Sequence, residues 1–407
     1  MKNIIMTLVV LLPFVFSSTV YGAGFALYEY SAKGTAMGGA TVANGAEAAS
    51  LANNPALITE LEGTQIQVGA TAVVADATTT VNGDSRSLKD NIIPVPNFYI
   101  THKWSDDISL GLGGFTRFGL GGEYQDHLTW AGSALAYKMN LETFSFTPTI
   151  AIKANEEFSV AMGLEAMVIG FSQEAMGAPG VASSNYKLRG SGVNWGGNFS
   201  FVYKPEWAEK WALGAMYRTK VKTDLKGRIR TGGLPVLSSF NLIDANVVGS
   251  IVLPDSITAG LSFKPTDKWT MEAGIVGTFW SSYDQILIQY TGDDAGRPVI
   301  RNLKKYKDTY RLNFGTEYKL NDTWAVRAGY VFDKSPINEK AMDTMVPVDD
   351  RHIGSIGAGY ATDNWTIDAY YGRIFGEDLS GVSTKGETVK YSHGHSDLYG
   401  ITVGYKF

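Results

Sequence analysis

The chain ends on the stretch "DLYGITVGYKF", Asp397 to Phe407, in which two kinds of residue alternate. The apolar set is Tyr399, Ile401, Val403, Tyr405 and Phe407, and the small, polar or charged set is Gly400, Thr402, Gly404 and Lys406. Because successive side chains of a β-strand point to opposite faces, this pattern predicts a strand between two different environments. In a water-soluble protein the apolar face would be core, and in an outer membrane it would contact lipid.

The N-terminus carries the pattern of an export signal. Lys2 precedes an apolar run from Ile4 to Phe16, and small residues follow up to Gly22. This order is typical of a secretory signal peptide, so we expect residues 1–22 to be removed by cleavage before Ala23. After Ala23 the sequence has no uninterrupted apolar stretch of the roughly 18 residues that a membrane helix needs.

The composition favours strands and turns and excludes some functions. The chain has 46 Gly, 21 Tyr and 12% aromatic residues, which suit turns and pleated surfaces. It has no cysteine, which excludes disulfides and thiolate metal sites. The formal net charge of -5 argues against a nucleic-acid partner. Nothing in the sequence predicts a cofactor.

A short turn recurs six times between alternating runs, usually flanked by aromatic residues. The six copies are Trp104-SDD-Ile108, Lys153-ANEE-Phe158, Tyr203-KPEWAEK-Trp211, Phe263-KPTDK-Trp269, Tyr318-KLNDT-Trp324 and Tyr360-ATDN-Trp365. Seven longer connections, rich in Gly, Ser and charge, lie at about residues 75–94, 119–133, 172–190, 223–249, 281–305, 333–350 and 375–396. These thirteen connections would join fourteen strands.

An even number of strands, with short turns at one end and long loops at the other, is typical of a bacterial outer-membrane barrel. The sequence therefore predicts an all-β membrane protein, a 14-stranded antiparallel transmembrane β-barrel over residues 64–407. We expect it in the outer membrane of a Gram-negative-type bacterium, with both termini on the periplasmic, short-turn side. A closed barrel needs no partner chain, so we expect a monomer surrounded by outer-membrane lipid and lipopolysaccharide.

Charge assigns the two faces of each strand. From Tyr310 to Leu320, aromatic and apolar residues alternate with a set that includes Arg311, Glu317 and Lys319. An Arg on the lipid face at mid-bilayer costs roughly 2–4 kcal/mol, so the charged set is predicted to face the bore. Residues 193–204 and 211–220 repeat the same division.

Residues 23–63 lack sustained alternation and are crowded with Ala, Gly and Ser. Fourteen strands enclose a bore too wide for opposed side chains to fill. The segment is therefore predicted to be an N-terminal hatch, or plug, of short helices and turns inside the barrel, with Asn54-Pro55 as a helix breaker. The alternative is an unstructured periplasmic tail.

Several motifs in order along the mature chain are similar to those of the FadL family of outer-membrane transporters for long-chain fatty acids and other hydrophobic compounds. They are the mature start "AGF", the element Asn54-Pro55-Ala56, "FGL" at Phe118 with Glu123-Tyr124, "LPDSITAGLSFKPTDKWT" from Leu253, "RAGYVFDKSP" from Arg327 and "DDRHIGSIGAGY" from Asp349. The resemblance covers nearly the whole mature chain.

The resemblance implies a route for the substrate. Outer loops would capture a long-chain fatty acid, an internal apolar pocket would bind it, and a kinked third strand would open the wall sideways into the membrane. By family position, Phe25 and Leu27 are candidate pocket residues, and Asn54, Pro55 and Ala56 are the candidate movable element. Family members also take up aromatic and aliphatic hydrocarbons, which stays open as an alternative.

The third strand has a candidate lateral gate. Alternation from Ile108 meets Gly113-Gly114, after which Phe115 and Phe118 fall on different faces. A glycine pair inside a strand marks a bulge or bend, although a simple twist adjustment is the alternative. Gly113, Gly114, Phe115 and Phe118 are therefore the predicted gate.

A carboxylate head group would be stabilised by a cation. Arg218, Lys220 and Lys222 are predicted to lie on one bore-facing row of the seventh strand, below Lys226, Arg228 and Arg230 in the next loop. Arg218 and Lys220 are thus candidate ligand-binding residues. The same cations could instead balance bore carboxylates such as Glu165 and Glu272, or hold lipopolysaccharide phosphates outside.

Other functions are disfavoured. The five His residues show no spacing with Ser or Asp that marks a nucleophile and its base, so we predict that the protein is not an enzyme such as a lipid hydrolase. His393 and His395 could be a metal pair, but an outer loop explains them better and no metal site is predicted. A general porin is disfavoured by the hatch.

Deletion of Phe407 tests the C-terminal pattern. A terminal aromatic residue resembles the signal by which outer-membrane proteins are recognised for insertion, so the deletion should lower the yield of assembled barrel. Heat-dependent gel mobility of membrane fractions measures that yield, and the assembled fraction should keep its ligand affinity. An unchanged yield would argue against this role for Phe407.

Overall fold

The computed structural model describes residues 24–90, 92–233, 235–347 and 349–407. The predicted signal peptide, with its cleavage site before Ala23, lies outside these ranges. No helix within them is both long and apolar enough to cross a bilayer.

The described residues form 21 strand segments in one antiparallel sheet. They are β1 (Thr64–Val81), β2 (Asp84–Ser87), β3 (Ile92–Lys103), β4 (Ile108–Phe115), β5 (Gly119–Glu123), β6 (Lys138–Lys153), β7 (Phe158–Met176), β8 (Asn185–Tyr203), β9 (Trp211–Arg218), β10 (Val221–Thr231), β11 (Ala245–Leu253), β12 (Ser256–Thr266), β13 (Trp269–Thr278), β14 (Gln285–Tyr290), β15 (Ile300–Leu303), β16 (Thr309–Lys319), β17 (Trp324–Asp333), β18 (Arg351–Ala361), β19 (Trp365–Gly376), β20 (Leu379–Val382) and β21 (Thr388–Lys406).

These segments combine into fourteen barrel strands. The third consists of β4 and β5, the seventh of β9 and β10, the eighth of β11 and β12, the ninth of β13 and β14, and the tenth of β15 and β16. The sheet closes because β1 pairs with β21 from Gln65 opposite Lys406 to Val81 opposite Val389. The predicted 14-stranded antiparallel barrel is confirmed. Closure matters because unpaired backbone groups at an open edge in lipid cost several kcal/mol each.

The six short turns lie where the sequence predicts them, for example between Lys103 and Ile108 and between Ala361 and Trp365. The long connections are shorter than predicted because strand pairing continues into them. β7 and β8 each have 19 residues, about twice the 9–11 that cross a bilayer. The barrel therefore projects beyond the membrane on the long-loop side.

The predicted faces are confirmed on β16 and β21. On β16, Phe314 is 49% exposed whereas Asn313 and Arg311 are buried against the bore contents. On β21, Tyr399 and Ile401 are exposed whereas Leu398 and Thr402 are buried. The bore charges pair among themselves: Arg327 Nε lies 2.7 Å from Glu317 Oε2 and Arg327 Nη1 lies 2.6 Å from Asp368 Oδ1.

Residues before β1 fill the bore with short helices. They are the α-helices α1 (Ala32–Ala36) and α2 (Ser50–Asn53) and the 3₁₀ helix Pro55–Glu60. Ser31 caps α1 by accepting the Gly34 N–H at 2.9 Å, and the Ala32 N–H donates to Thr402 Oγ1 of the wall at 2.8 Å. The remaining 3₁₀ helices lie in turns and loops at His127–Thr129, Ala131–Ala134, Ala182–Ser184, Glu206–Ala208, Pro235–Phe240, Trp280–Ser282 and Gly292–Asp294.

The substitution Phe314→Arg tests the lipid face. It places a charge outward on β16, between the girdle residues Tyr310 and Tyr318, and should lower the free energy of unfolding by roughly 2–4 kcal/mol. Trp207→Arg is the matched control, since Trp207 is 83% exposed in a periplasmic turn and its replacement should change stability by less than about 0.5 kcal/mol. Reversible denaturation in lipid vesicles measures both. Equal effects would show that Phe314 does not contact lipid.

Candidate functional site

The wall of the barrel is interrupted in the third strand. β4 pairs with β6 as far as Phe115 opposite Ser145, and β5 resumes with Gly119 opposite Glu142. The third strand thus has one more residue than β6 across this interval, which is the signature of a bulge. The bend at residues 116–118 turns Phe118 inward, so both Phe115 and Phe118 are buried.

The hatch satisfies the backbone groups that the bend leaves unpaired. The Leu27 N–H donates to Arg117 O at 2.8 Å, and the Gly119 N–H donates to Phe25 O at 2.9 Å. From the other side, Thr143 Oγ1 accepts the Phe118 N–H at 3.1 Å and donates to Phe118 O at 2.7 Å. Residues 25–27 therefore act as a short extra strand that seals the bend.

A window lies beside this bend. β3 pairs with β4 only from Phe98 to Lys103, whereas its pairing with β1 continues upward through Pro94 and Pro96. Since that ladder is continuous, the donors missing from the two prolines belong to the side facing β5. This edge of the window consequently has few N–H groups in need of a partner.

The window contains an apolar cavity of 270 Å³. Its lining joins inward residues such as Leu27 and Val95 to the outward residues Phe144, Phe146 and Val168. The cavity therefore passes through the wall from the hatch to the lipid face.

A second, central cavity lies between the hatch and the wall and has a volume of only 40 Å³. Leu27 lines both cavities, which places it between them. Tyr30 also lines the central cavity and packs 5.3 Å from the Phe115 ring. Burial raises the pKa of Tyr30 to about 12, so its hydroxyl stays neutral.

Two arginines and one carboxylate meet at the wall of the central cavity. Arg117 Nη1 lies 2.7 Å from Glu165 Oε2, and Arg218 Nη1 lies 3.9 Å from the same oxygen. Arg218 Nη2 donates to Ala52 O at 2.9 Å, whereas Arg218 Nη1 has no hydrogen-bond partner among the described residues. These three buried side chains together carry a net positive charge, so they can bind an anion.

An aromatic cluster adjoins the central cavity through Phe118. The Phe25 ring lies 4.7 Å from Trp280, 5.0 Å from Tyr283 and 5.9 Å from Phe118, all at steep angles. Edge-to-face packing of this kind is favourable by about 0.5–1.5 kcal/mol per pair beyond burial. Phe25 thus joins the hatch to the outer loops and to the bend at once.

Two further contacts fix the body of the hatch. Glu272 Oε1, from the wall, accepts the Val42 N–H at 2.5 Å and the Ala43 N–H at 3.1 Å. Asn54 Nδ2 donates to Val42 O at 2.7 Å and to Phe201 O of the wall at 2.9 Å. The lower hatch is therefore tied to the wall by contacts that are separate from those of residues 25–27.

Comparison with known proteins identifies the family of this chain. A sequence profile described as "Outer membrane protein transport protein (OMPP1/FadL/TodX)" matches residues 14–407. The chain belongs to this family. The predicted resemblance is confirmed, and so is the prediction that the protein is not an enzyme, because the family is one of transport proteins.

Relatives within the family match over almost their whole length. The long-chain fatty acid transport protein of Salmonella typhi is 27% identical, over 97% of this chain and 96% of that protein. The long-chain fatty acid transport protein of Escherichia coli K12 is 26% identical, over 96% of each chain.

Solved structures share the fold. A Pseudomonas aeruginosa FadL homologue superposes with a TM-score of 0.84 at 18% identity, over 94% of this chain and 100% of that one. The toluene transporter TodX of Pseudomonas putida gives 0.71 at 17% identity, over 94% and 99% of the two chains. At these identities the likeness concerns the fold alone.

The predicted gate needs a correction. Gly113 and Gly114 lie in the regular ladder between β3 and β6, and the bend falls at residues 116–118 instead. The glycines have local packing reasons, since a Cβ on Gly114 would lie 2.1 Å from the Phe98 ring and one on Gly113 would press on Phe115. The prediction that Phe115 and Phe118 face opposite sides is also wrong, because the inserted residue turns both inward.

The predicted pocket residues divide into two groups. Leu27 lines both cavities and Phe25 packs against Phe118 of the central cavity, whereas Asn54, Pro55 and Ala56 are absent from the described lining of either cavity. The Ala56 N–H donates to Ser200 Oγ at 3.1 Å, so this element anchors the hatch to β8. These contacts do not support the prediction that the element Asn54-Pro55-Ala56 is the movable part of the pocket.

The prediction that a row of cations faces the bore is wrong for the residues after Arg218. The ladder breaks between β9 and β10, at Thr219 and Lys220, and inward positions change from even to odd numbers across the break. Arg218 is buried in the bore, while Lys220 and Lys222 are exposed on the outer face. Because one inserted residue reverses the facing of every later side chain, alternation alone could not reveal this change.

Sequence reasoning missed Arg117, Thr143, Trp280 and the proline pair. Only the prolines carry a local signal, since two prolines at alternate positions of a strand remove donors from one edge. Arg117 and Thr143 acquire their roles through contacts between distant strands, which no local pattern encodes.

Thr143→Val tests the seal of the bend. The isosteric change removes the hydroxyl that pairs with both backbone groups of Phe118, and it should lower the free energy of unfolding by about 1–3 kcal/mol. Thr147→Val is the matched control on the same strand, because buried Thr147 Oγ1 has no hydrogen-bond partner among the described residues. Denaturant titration compares the two, and an equal loss in both would refute the proposed role of Thr143.

Proposed function

We propose that this protein takes up hydrophobic compounds across the outer membrane, most simply long-chain fatty acids, and releases them sideways into the bilayer. Captured at the outer loops, the ligand passes to the central cavity and leaves through the window between β3 and β5. The observation that carries this proposal is the apolar cavity through the wall, which meets the central cavity at Leu27.

The sideways route has a physical advantage for a greasy substrate. Each methylene removed from water gains roughly 0.8 kcal/mol, so an acyl chain avoids a water-filled path. The window offers continuous contact with apolar side chains and then with lipid. The hatch blocks the bore below, and the lining of its 490 Å³ periplasmic vestibule includes the charged residues Lys33, Glu47, Arg327 and Asp368.

Ligand entry requires the N-terminal hatch residues to move. A volume of 40 Å³ is far below the roughly 300–1,000 Å³ of pockets that hold drug-sized ligands. Residues 25–30 fill this space, and residues 25–27 also seal the bend through the Leu27 and Gly119 hydrogen bonds. A ligand that displaces them would therefore enlarge the pocket and loosen the window in one step.

The arginine pair supports an anionic head group. A carboxylate in the central cavity would accept hydrogen bonds from Arg218 Nη1, and charge-assisted bonds of this type are about twice as strong as neutral ones. Glu165 already neutralises one of the two guanidinium charges, which leaves the other for the ligand. Arg218 is retained as a candidate ligand-binding residue, and Lys220 is withdrawn.

The alternative substrate class is an uncharged hydrocarbon. Two proteins with the same fold, from Pseudomonas putida and Ralstonia pickettii, are named toluene transporters. The window and the aromatic cluster around Phe25 would suit such a compound equally well. The charge at Arg218 is the feature that favours a fatty acid.

Gly170→Trp tests the lateral route. Gly170 lines the window on the outer face, and a Cβ there would meet nothing within 4 Å, so the new Cβ causes no clash and the large side chain is placed to obstruct the cavity. We expect uptake of radiolabelled oleate by cells that lack their own transporter to fall at least tenfold. Gly354→Trp is the matched control, because Gly354 faces outward on β18 with equally open surroundings and should keep normal uptake.

The Gly170 and Arg218 variants test the exit route and the charge of the substrate separately. Normal oleate uptake in correctly inserted Gly170→Trp would refute lateral exit. Arg218→Met should lower uptake of oleate about tenfold but leave labelled toluene unaffected, whereas Arg218→Lys should restore part of the oleate uptake. Equal loss for both compounds would assign Arg218 a structural role and remove the case for an anionic substrate.

A further inference from the structure

The outer face of the barrel carries a group of cations just above the lipid-contacting belt. We call this group the outer basic patch; it consists of Lys187 and Arg189 on β8 and Lys222, Lys226, Arg228 and Arg230 on β10. The odd positions of β8 and the even positions of β10 point outward, as the exposure of Val193 and Trp195 on β8 shows.

The register sets like charges directly opposite each other in the patch. Arg228 pairs with Arg189 across the ladder, and Arg230 pairs with Lys187. Like charges at directly opposed positions destabilise a sheet. Two successive pairs of this kind are the reverse of what folding alone would favour.

The patch is poorly neutralised by the protein itself. Lys187 forms an ion pair with Glu174 of β7, and the other five cations form none with any described residue. Asp224 lies among them on β10 without an ion pair to any described side chain, and Asp244 is engaged by the Thr231 N–H and hydroxyl at 2.6 and 2.9 Å. Six cations against these three carboxylates leave a local charge of about +3, on a chain whose formal charge is -5.

The height of the patch fits the head groups of the outer leaflet. The apolar belt of an outer-membrane barrel spans about 25 Å, or roughly ten residues of a tilted strand. Ten residues from the girdle residue Tyr203 lead to Val193, which is 58% exposed. Arg189 and Lys187 lie four and six residues farther up the strand than Val193, on the same face and roughly 10–15 Å above the belt.

We propose that the outer basic patch binds the phosphate groups of lipopolysaccharide, whose acyl chains then lie along Val193 and Trp195 below. The anionic phosphates supply the counter-charge that the two opposed cation pairs lack. The substrate route lies elsewhere on the wall, between β3 and β5, so this binding is independent of transport.

The test measures binding of a defined lipid to the full-length barrel in detergent. The probe is the bisphosphorylated, acylated disaccharide anchor of lipopolysaccharide, titrated and counted by native mass spectrometry. Each cation near a charged lipid surface changes affinity about fivefold, so Arg189→Glu, which changes the charge by two, should weaken binding about 25-fold. Arg189→Lys should bind within about twofold of the original protein.

Control measurements distinguish loss of the lipid site from misfolding and from a general effect of the protein's net charge. Without lipid, Arg189→Glu should be as stable as the original protein or more stable, because its carboxylate faces Arg228. Lys268→Glu, an equal charge change at an exposed periplasmic turn, should bind normally. The dephosphorylated anchor should bind at least tenfold more weakly to the original protein.

Three results would overturn the proposal. They are unchanged binding by Arg189→Glu, equal affinity for the phosphorylated and dephosphorylated anchors, and saturable binding of inorganic phosphate as tight as that of the lipid. The last would assign the patch to free phosphate rather than to a membrane lipid.

Discussion

Backbone pairing inside the membrane is the constraint on which the rest of this structure depends. In hydrocarbon, an unpaired N–H or C=O costs several kcal/mol, so the sheet must close on itself through β1 and β21. Any opening in the wall must therefore satisfy its own backbone groups. The third strand breaks its ladder at residues 116–118, and the groups released there are paired by residues 25–27 and by the Thr143 hydroxyl.

This solution couples the wall to the contents of the bore. The peptide segment that completes the wall also carries Phe25, which is buried in the aromatic cluster, and Leu27, which lines both cavities. The lower hatch is tied to the wall separately, by Glu272 and Asn54. The two prolines of β3 reduce the number of unpaired N–H donors along the edge that faces β5.

Much of the barrel could be predicted from sequence because its determinants are local. The six short turns, the strand number and the inward or outward facing of β16 and β21 follow from alternation and turn residues. The bend at residues 116–118 could not be located in this way, since Gly113 and Gly114 are explained by close packing against Phe115 and Phe98 rather than by a bulge. The convergence of Arg117 and Arg218 on Glu165 depends on three strands that are far apart in sequence.

A single inserted residue also explains the distribution of charge on the seventh strand. Without the break at Thr219 and Lys220, the cations from Lys222 to Arg230 would face the bore beside Arg218. The break keeps Arg218 inside and turns the later cations outward, where β8 presents Arg189 and Lys187 at the same heights. The same device in the third strand brings Arg117 to the cavity. Breaks in the ladder therefore decide which cations face the bore and which face the head-group layer.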